Sequence, residues 1–413
     1  TFGDFGGSVA ATINVNFGAD SSFGGLKTAQ GNQDSNDKGD FYYTPPTDYL
    51  ALCTDNLSAP EIALPGDYYN TLLYTGDGVD DRAITGLGFK PDMVLFKPRS
   101  NPGTDSPVMF NAVRGVDKLV YWPGADGEQT NTTGLKSFDS DGFTVGTSNA
   151  TNKSAQPEAT WSWKGDGVAG GTTNTDGDID TQVNVNTTAG FSIVTYTGDG
   201  ASGQTIGHGL SQKPDMIWTY DLTGPWPAAA TAWMWSKGLS SGAYNTYQSM
   251  DENSFLTNPS SGYFTAMSST LLTMTTGSTS VYNLNKSGDS YLMFCWHEVE
   301  GYSKFDSYEG NGNADGTFIY TGFNPAFFLC KNIDTAIPHD DWPLKDNKRP
   351  AYNVEDLSII ISRSGLVEQT DNEVDLVSNG IKIRSTDTES NDSAKTFVYA
   401  AFASHPFKTA NAR

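Results

Sequence analysis

Three aspartates in the stretch NTDGDIDTQ, Asp176, Asp178 and Asp180, stand at alternate positions. Calcium prefers several oxygen ligands, and a D-x-D-x-D turn can supply them from one short segment. The stretch departs from the EF-hand loop, because Ile179 separates the last two acids and neither the turn glycine nor the closing glutamate is in place. GDGVDDR (76–82) and FDSDG (138–142) are acidic turns of the same kind. Asp and Gly are also ordinary turn residues. Calcium at Asp176, Asp178 and Asp180 is the one cofactor the sequence suggests, and a plain turn is the alternative.

Aromatic side chains raise a second possibility, since sugars stack on exposed rings. Trp226 lies between prolines in GPWPAAATAWMWSK, and Tyr121 and Trp122 adjoin in LVYWPGADG. Trp226, Trp122 and Tyr121 are the carbohydrate-binding candidates, although tryptophan on a strand is more often core. The four histidines, His208, His297, His339 and His405, form no motif. His297 and Glu298 adjoin on a closing strand, where neighbours face opposite ways. G-x-S-x-G, H-E-x-x-H and the P-loop pattern are all missing from the sequence. Glycoside hydrolysis needs two carboxylates about 5–10 Å apart, which the 48 acidic residues could assemble only in three dimensions. No catalytic residue is assigned, and the expectation is a non-enzymatic protein.

The elements that must hold these residues repeat. YTGDGVDDRAITGLGFKPDMVLFK starts at Tyr74, YTGDGASGQTIGHGLSQKPDMIWTY at Tyr196 and YEGNGNADGTFIYTGFNPAFFLCK at Tyr308. Each copy carries a G-x-G (Gly76/Gly78, Gly198/Gly200, Gly310/Gly312), then a proline (Pro91, Pro214, Pro325), then a short apolar strand. Lys97 and Lys331 share an offset at which the middle copy has Tyr220. Each copy closes on a further apolar strand, EATWSWKG, SYLMFCWHEVEG or TFVYAAFASHPF. A period of roughly 100 residues is that of a small domain, not of a solenoid unit. His208 occurs in one copy only, which favours a structural role.

Within a copy, segments such as GFSIVTYTG, MIWTY and TAWMWSK alternate as strands between Gly, Asp and Pro turns. Several short strands at regular spacing predict an antiparallel sandwich or barrel. The fold expected is therefore all-β, with tandem jelly-roll-like antiparallel β-sandwich domains in three internal repeats, at 66–168, 169–301 and 302–413. Residues 1–65 are read as the end of another β module or a linker.

The chain has 413 residues and a net charge of −23, with 44 glycines. Such acidity repels phosphate backbones and excludes ordinary nucleic-acid binding. It suits solubility and a salty medium. No apolar run approaches the 18 residues of a membrane span, so no membrane insertion is expected. Cys53, Cys295 and Cys330 are far apart and form no CxxC pair; the last two are expected as buried small hydrophobes.

The segment NFG followed by GDFYYTPPTDYLALCTDNL resembles the end of the SPRY-like, concanavalin-type modules of tailed-phage structural proteins. GFSIVTYTGDG with TIGHGLSQKPDMI resembles the repeat that follows such modules in marine-phage tail or fibre proteins, and AFASHPFKTANAR is similar to their C-terminal signature. The resemblance implies a virion structural protein of tail fibre or spike type that presents β domains to a host surface glycan or receptor. It implies a location on the virion surface, other virion proteins as partners, and a homo-oligomer, trimeric as phage fibres usually are. It transfers no catalytic residues. The third copy departs from the pattern, with N-P-A-F in place of P-D-M. A capsid decoration or capsid fibre without a receptor, and a surface-polysaccharide depolymerase, are the rival expectations.

Overall fold

In a computed structural model, the apolar strand that follows or contains each repeat proline is buried at every position: Met93–Pro98, Met216–Asp221 and Phe323–Asn332. A strand whose two faces are both covered loses the polar half of the usual alternation. The architecture follows from what lies on each face. The structure describes residues 14–100, 106–122, 126–224, 232–239, 244, 246–250, 264–274, 284–334, 341–350, 352–362 and 368–410. They form two units, 1–59 and 60–413.

The second unit is all-β and antiparallel. In the first repeat, β1 (Tyr69–Thr75), β3 (Met93–Pro98), β4 (Val108–Asn111), β5 (Gly115–Tyr121), β6 (Gln129–Thr130) and β9 (Pro157–Trp163) form a sheet ordered β1-β9-β3-β4-β5-β6. A smaller sheet, β2-β8-β7, is built from β2 (Arg82–Thr85), β7 (Leu135–Asp139) and β8 (Gly142–Val145). One short helix, α1 (Asn149–Asn152), precedes β9.

The second repeat copies this plan. Strands β10 (Thr172–Asn174), β11 (Thr181–Asn186), β12 (Phe191–Thr197), β14 (Met216–Asp221), β15 (Ala232–Ser236), β16 (Gln248–Ser249) and β19 (Ser290–Trp296) run in the order β10-β11-β12-β19-β14-β15-β16. The small sheet is β13-β18-β17, from β13 (Thr205–Gly207), β17 (Phe264–Met267) and β18 (Leu271–Met274).

In the third repeat the layers are β20 (Ser303–Glu309), β22 (Phe323–Asn332), β23 (Pro343–Asp346), β24 (Glu355–Ile360) and β27 (Thr396–Pro406), and β21 (Phe318–Tyr320), β25 (Gln369–Val377) and β26 (Gly380–Ile383). Here β24 pairs with both β23 and β25, so one nearly closed eight-stranded sheet runs β20-β27-β22-β23-β24-β25-β26-β21. The helix α2 (Thr388–Asn391) occupies the place of α1.

Each large sheet has two apolar faces. Val94, Phe96 and Phe110 meet Ile84, Leu135 and Phe143 of the small sheet, which is the sandwich core of the first repeat. Ile217, Trp235 and Cys295 do the same with Ile206, Phe264 and Leu272. Phe328, Cys330 and Tyr399 meet Ile319, Val374 and Ile381. The alternate residues point the other way. Met93, Leu95, Trp161 and Trp163 join Met216, Trp218 and Trp296, and Phe327, Leu329 and Phe402, in one core shared by all three repeats. Trp163 lies edge-on to Trp218 at 6.5 Å, and Trp296 is 6.5 Å from Phe402. The repeats are therefore packed around common aromatic material and are not strung out.

In the first unit the described residues hold one isolated bridge, Asn32 to Phe41, and no strand. Pro45 and Pro46 have no N–H to give a ladder. The segment is organised by Asp34, which accepts from the backbone N–H of Ala51 (2.7 Å), Asn36 (2.9 Å) and Lys38 (3.0 Å) and from Asn56 Nδ2 (2.8 Å). Burial alone would raise the Asp34 carboxyl, but these bonds to its charged form hold it down to about 2.

Candidate functional site

The repeated G-x-G is a structural lock. Gly78, Gly200 and Gly312 have φ of 72°, 77° and 65°, the left-handed region that glycine enters at no cost. At Gly76, Gly198 and Gly310 a Cβ would overlap the carbonyl oxygen of Lys153, Lys286 or Asp392. A buried asparagine precedes each of these carbonyls. Asn152 Nδ2 donates to Val79 O and Gly146 O, both at 2.9 Å, and its Oδ1 accepts from Asp77 N at 3.0 Å. Asn285 and Asn391 repeat this with Asp199 N and Asn311 N, both at 2.9 Å. Tyr74, Tyr196 and Tyr308 each donate to the carbonyl before the asparagine, at Thr151, Leu284 and Ser390. The signal in the sequence was a recurring Asn-Lys/Asp-Ser (152–154, 285–287, 391–393), which motif reading missed.

The P-D-M aspartates are also structural. Asp92 accepts from Gly165 N at 2.8 Å and from Asn184 Nδ2 at 2.9 Å, and Asp215 accepts from Glu298 N at 2.8 Å. Each ties the exit of a closing strand, where the chain passes to the next repeat. The third copy carries Ala326 there.

A cleft of about 760 Å³ opens where the first two repeats meet. Arg114 and Glu128 come from the first repeat; Asp178, Asp180, Gln182 and Tyr196 are among those from the second. Glu128 bridges Arg114 at 3.2 Å and Lys118 at 3.0 Å. Burial pulls Arg114 down to about 10, with Glu128 opposing the shift, so the guanidinium stays charged at neutral pH. Tyr196 and Tyr291 stack at 5.1 Å against the inner side of the cleft, with most of each ring buried. Asp180 stays exposed at the rim.

The three aspartates proposed for calcium are used separately. Asp176 accepts from Asn174 Nδ2 at 3.0 Å. Asp178 accepts from Thr205 Oγ1 (2.7 Å) and N (3.0 Å), hydrogen bonds that lower its pKa. Only Asp178 and Asp180 reach the cleft. Among the described residues no group of three or more His, Cys, Asp or Glu side chains is arranged to hold a metal. The acidic turns do similar local work: Asp141 accepts from Gly88 N at 2.7 Å and Asp139 from Thr144 Oγ1 at 2.7 Å.

Of the carbohydrate candidates, Trp122 needs correction. Its ring is wholly buried, edge-on to Trp218 at 4.6 Å and to Trp342 at 6.1 Å, so it offers no face to a sugar. An indole at the sheet end between three repeats gains more from core burial than from water. Tyr121 is half-buried against the first sandwich core, and Trp226 lies outside the described residues. His208 is buried, with Nε2 at 3.3 Å from Ser268 O and Nδ1 accepting from Leu210 N at 3.2 Å, a structural role. Cys295 and Cys330 are buried, and burial pushes each thiol up to about 12.

Fold and cleft define a class: an all-β protein of three tandem sandwiches on one core, with a polar groove at a seam. The chain belongs to the family described as a domain of unknown function (DUF7483), whose model matches residues 64–406. That span contains all three repeats, from before β1 to the end of β27. No curated protein and no solved structure matches the chain.

Proposed function

We propose that this chain is a virion structural protein of tail fibre or spike type whose three-sandwich body presents a glycan-binding cleft to the host surface. The observation that carries the reading is the polar cleft at the seam of a body whose repeats share one core. A shared core fixes the two cleft walls relative to each other, which lowers the ordering cost of binding. Hydroxyl, amide and carboxylate groups from Asp180, Gln182, Thr195 and Thr223 suit the hydroxyls of a neutral sugar. The carboxylates of Asp178, Asp180 and Glu128 disfavour a polyanionic one. Weak single contacts become useful through many copies on one particle. Other virion proteins and a homo-oligomer, a trimer in the fibre reading, belong to the same proposal.

Binding of the purified protein to immobilised host surface polysaccharide tests it. Asp180→Ala and Gln182→Ala are expected to weaken binding about tenfold each, roughly 1.4 kcal/mol, without new reducing ends appearing. Loss of the effect in both variants, or labelling of the protein over the capsid shell, would favour the architectural reading. Release of reducing ends would favour a depolymerase.

A further inference from the structure

Lys345 occupies a place where a lysine is not expected. It pairs with Phe328 across β22 and β23, on the sandwich side of the sheet. The matching positions in the other repeats are Phe110, paired with Val94, and Trp235, paired with Ile217. Both are apolar and fully buried, and both belong to the sandwich cores. Lys345 is 1% exposed in the same kind of interior. A lysine in place of an aromatic core residue is costly unless its amine has a use.

The surroundings of that amine are specific. Lys345 Nζ donates to two backbone carbonyls, Asp371 O at 2.6 Å and Glu355 O at 3.4 Å. The Asp371 carbonyl carbon is bonded directly to the backbone nitrogen of Asn372. Asn372 has the parity of Val374 and Leu376 on β25, which line the same sandwich core. It is 1% exposed and holds a left-handed φ of 51°. Its Oδ1 is buried without a hydrogen-bond partner. Its Nδ2 donates to Glu389 Oε2 at 3.1 Å and to Asp371 Oδ1 at 3.2 Å. The amine thus sits at the peptide group that leads into Asn372, and the Asn372 carboxamide sits against the Glu389 carboxyl, in a water-poor interior.

We propose that Lys345 and Asn372 join in an intramolecular isopeptide bond, with Glu389 relaying the proton. The Nζ lone pair attacks Cγ of Asn372, and the Nζ–Cγ bond forms. Glu389 gives its proton to the departing group, the Cγ–Nδ2 bond breaks, and ammonia leaves. The proton shed by Nζ restores Glu389. Amine and carboxamide become a substituted amide and ammonia, and nothing is oxidised or reduced. Burial supports the required protonation states. It lowers the Lys345 amine to about 8, with Arg349 adding to the shift, and it raises the Glu389 carboxyl to about 8, with Asp341 adding. Holding the reactants together in one site supplies the effective concentration that the free groups lack. The product ties β23 to β25, across the two layers of the third sandwich.

Intact mass spectrometry of the purified full chain, followed by tryptic mapping, tests the assignment. The expected result is a mass one ammonia below that of the sequence, and a branched peptide joining Lys345 to Asn372. Glu389→Gln is expected to keep the fold, checked by circular dichroism, and to restore the full sequence mass. Lys345→Met fits the apolar site and is expected to do the same. A folded wild-type chain at full sequence mass overturns the proposal. So does loss of one ammonia without a branched peptide, which marks a succinimide, or loss of one water with the branch at Asp371. A cross-link that persists in folded Glu389→Gln overturns the relay.

Discussion

At the residue scale, the side chains that determine shape are small polar ones at fixed places beside glycine. Asn152, Asn285 and Asn391 are each fully buried and hold the G-x-G turn to the chain entering the closing strand. Removing one leaves backbone groups of two segments without partners in a dry interior, where each unsatisfied group costs about 1–3 kcal/mol. Asn152→Ala is therefore expected to destabilise the second unit by about 2–4 kcal/mol. Denaturant midpoints at unchanged slope measure it, and a loss under about 1 kcal/mol would contradict the lock. Asp178 is of the same kind, since it clamps Thr205.

At the element scale, the small sheets depend on their loops. His208 follows β13, and its backbone N–H reaches Thr270 O at 3.2 Å while its ring meets Ser268 O ahead of β18. Burial depresses the imidazole to about 4, from an ordinary value near 6.5. The folded state thus favours the neutral ring more than the unfolded chain does. Its contribution is complete above about pH 6.5 and is lost as pH falls toward 4, amounting to at most about 3 kcal/mol. His208→Gln is expected to flatten the stability profile between pH 7 and 4.5, about a full titration window. An unchanged profile in the variant would show that the imidazole does not couple to folding. Seams between large sheets are tied by charge. Trp161 Nε1 donates to Asp346 at 3.1 Å, Arg349 holds Asp346 at 2.6 Å, and Glu368 joins Arg349 at 3.3 Å to Arg99 at 2.9 Å.

At the scale of the whole molecule, the shared core makes the repeats interdependent. Alone, the second repeat would expose Met216, Trp218, Phe294 and Trp296 to water. Burial of such side chains is worth about 1.5–3 kcal/mol each, so a lone repeat lacks much of its stability. Calorimetry of the chain is expected to show one cooperative transition for residues 60–413. Trp218→Ala should lower that single transition by about 3–5 kcal/mol, not split it. Three separate transitions would show that the repeats fold as independent domains.

What the sequence determined by itself was periodic. Strand identity, the all-β class and the three copies all follow from alternation, from Gly and Pro punctuation and from self-similarity, which are local properties. The G-x-G and Pro positions were legible, and Cys295 and Cys330 were rightly read as buried. Tertiary structure alone decided which side of each strand faces which neighbour. MVLFKP shows apolar residues on both faces, and no local pattern says that Met93 meets Trp296's core while Val94 meets its own small sheet. The burial of Trp122, the partners of the repeated asparagines and the meeting of Lys345, Asn372 and Glu389 are likewise contacts between distant segments. Such contacts arise because an apolar face unsatisfied within one repeat has to find its cover on another.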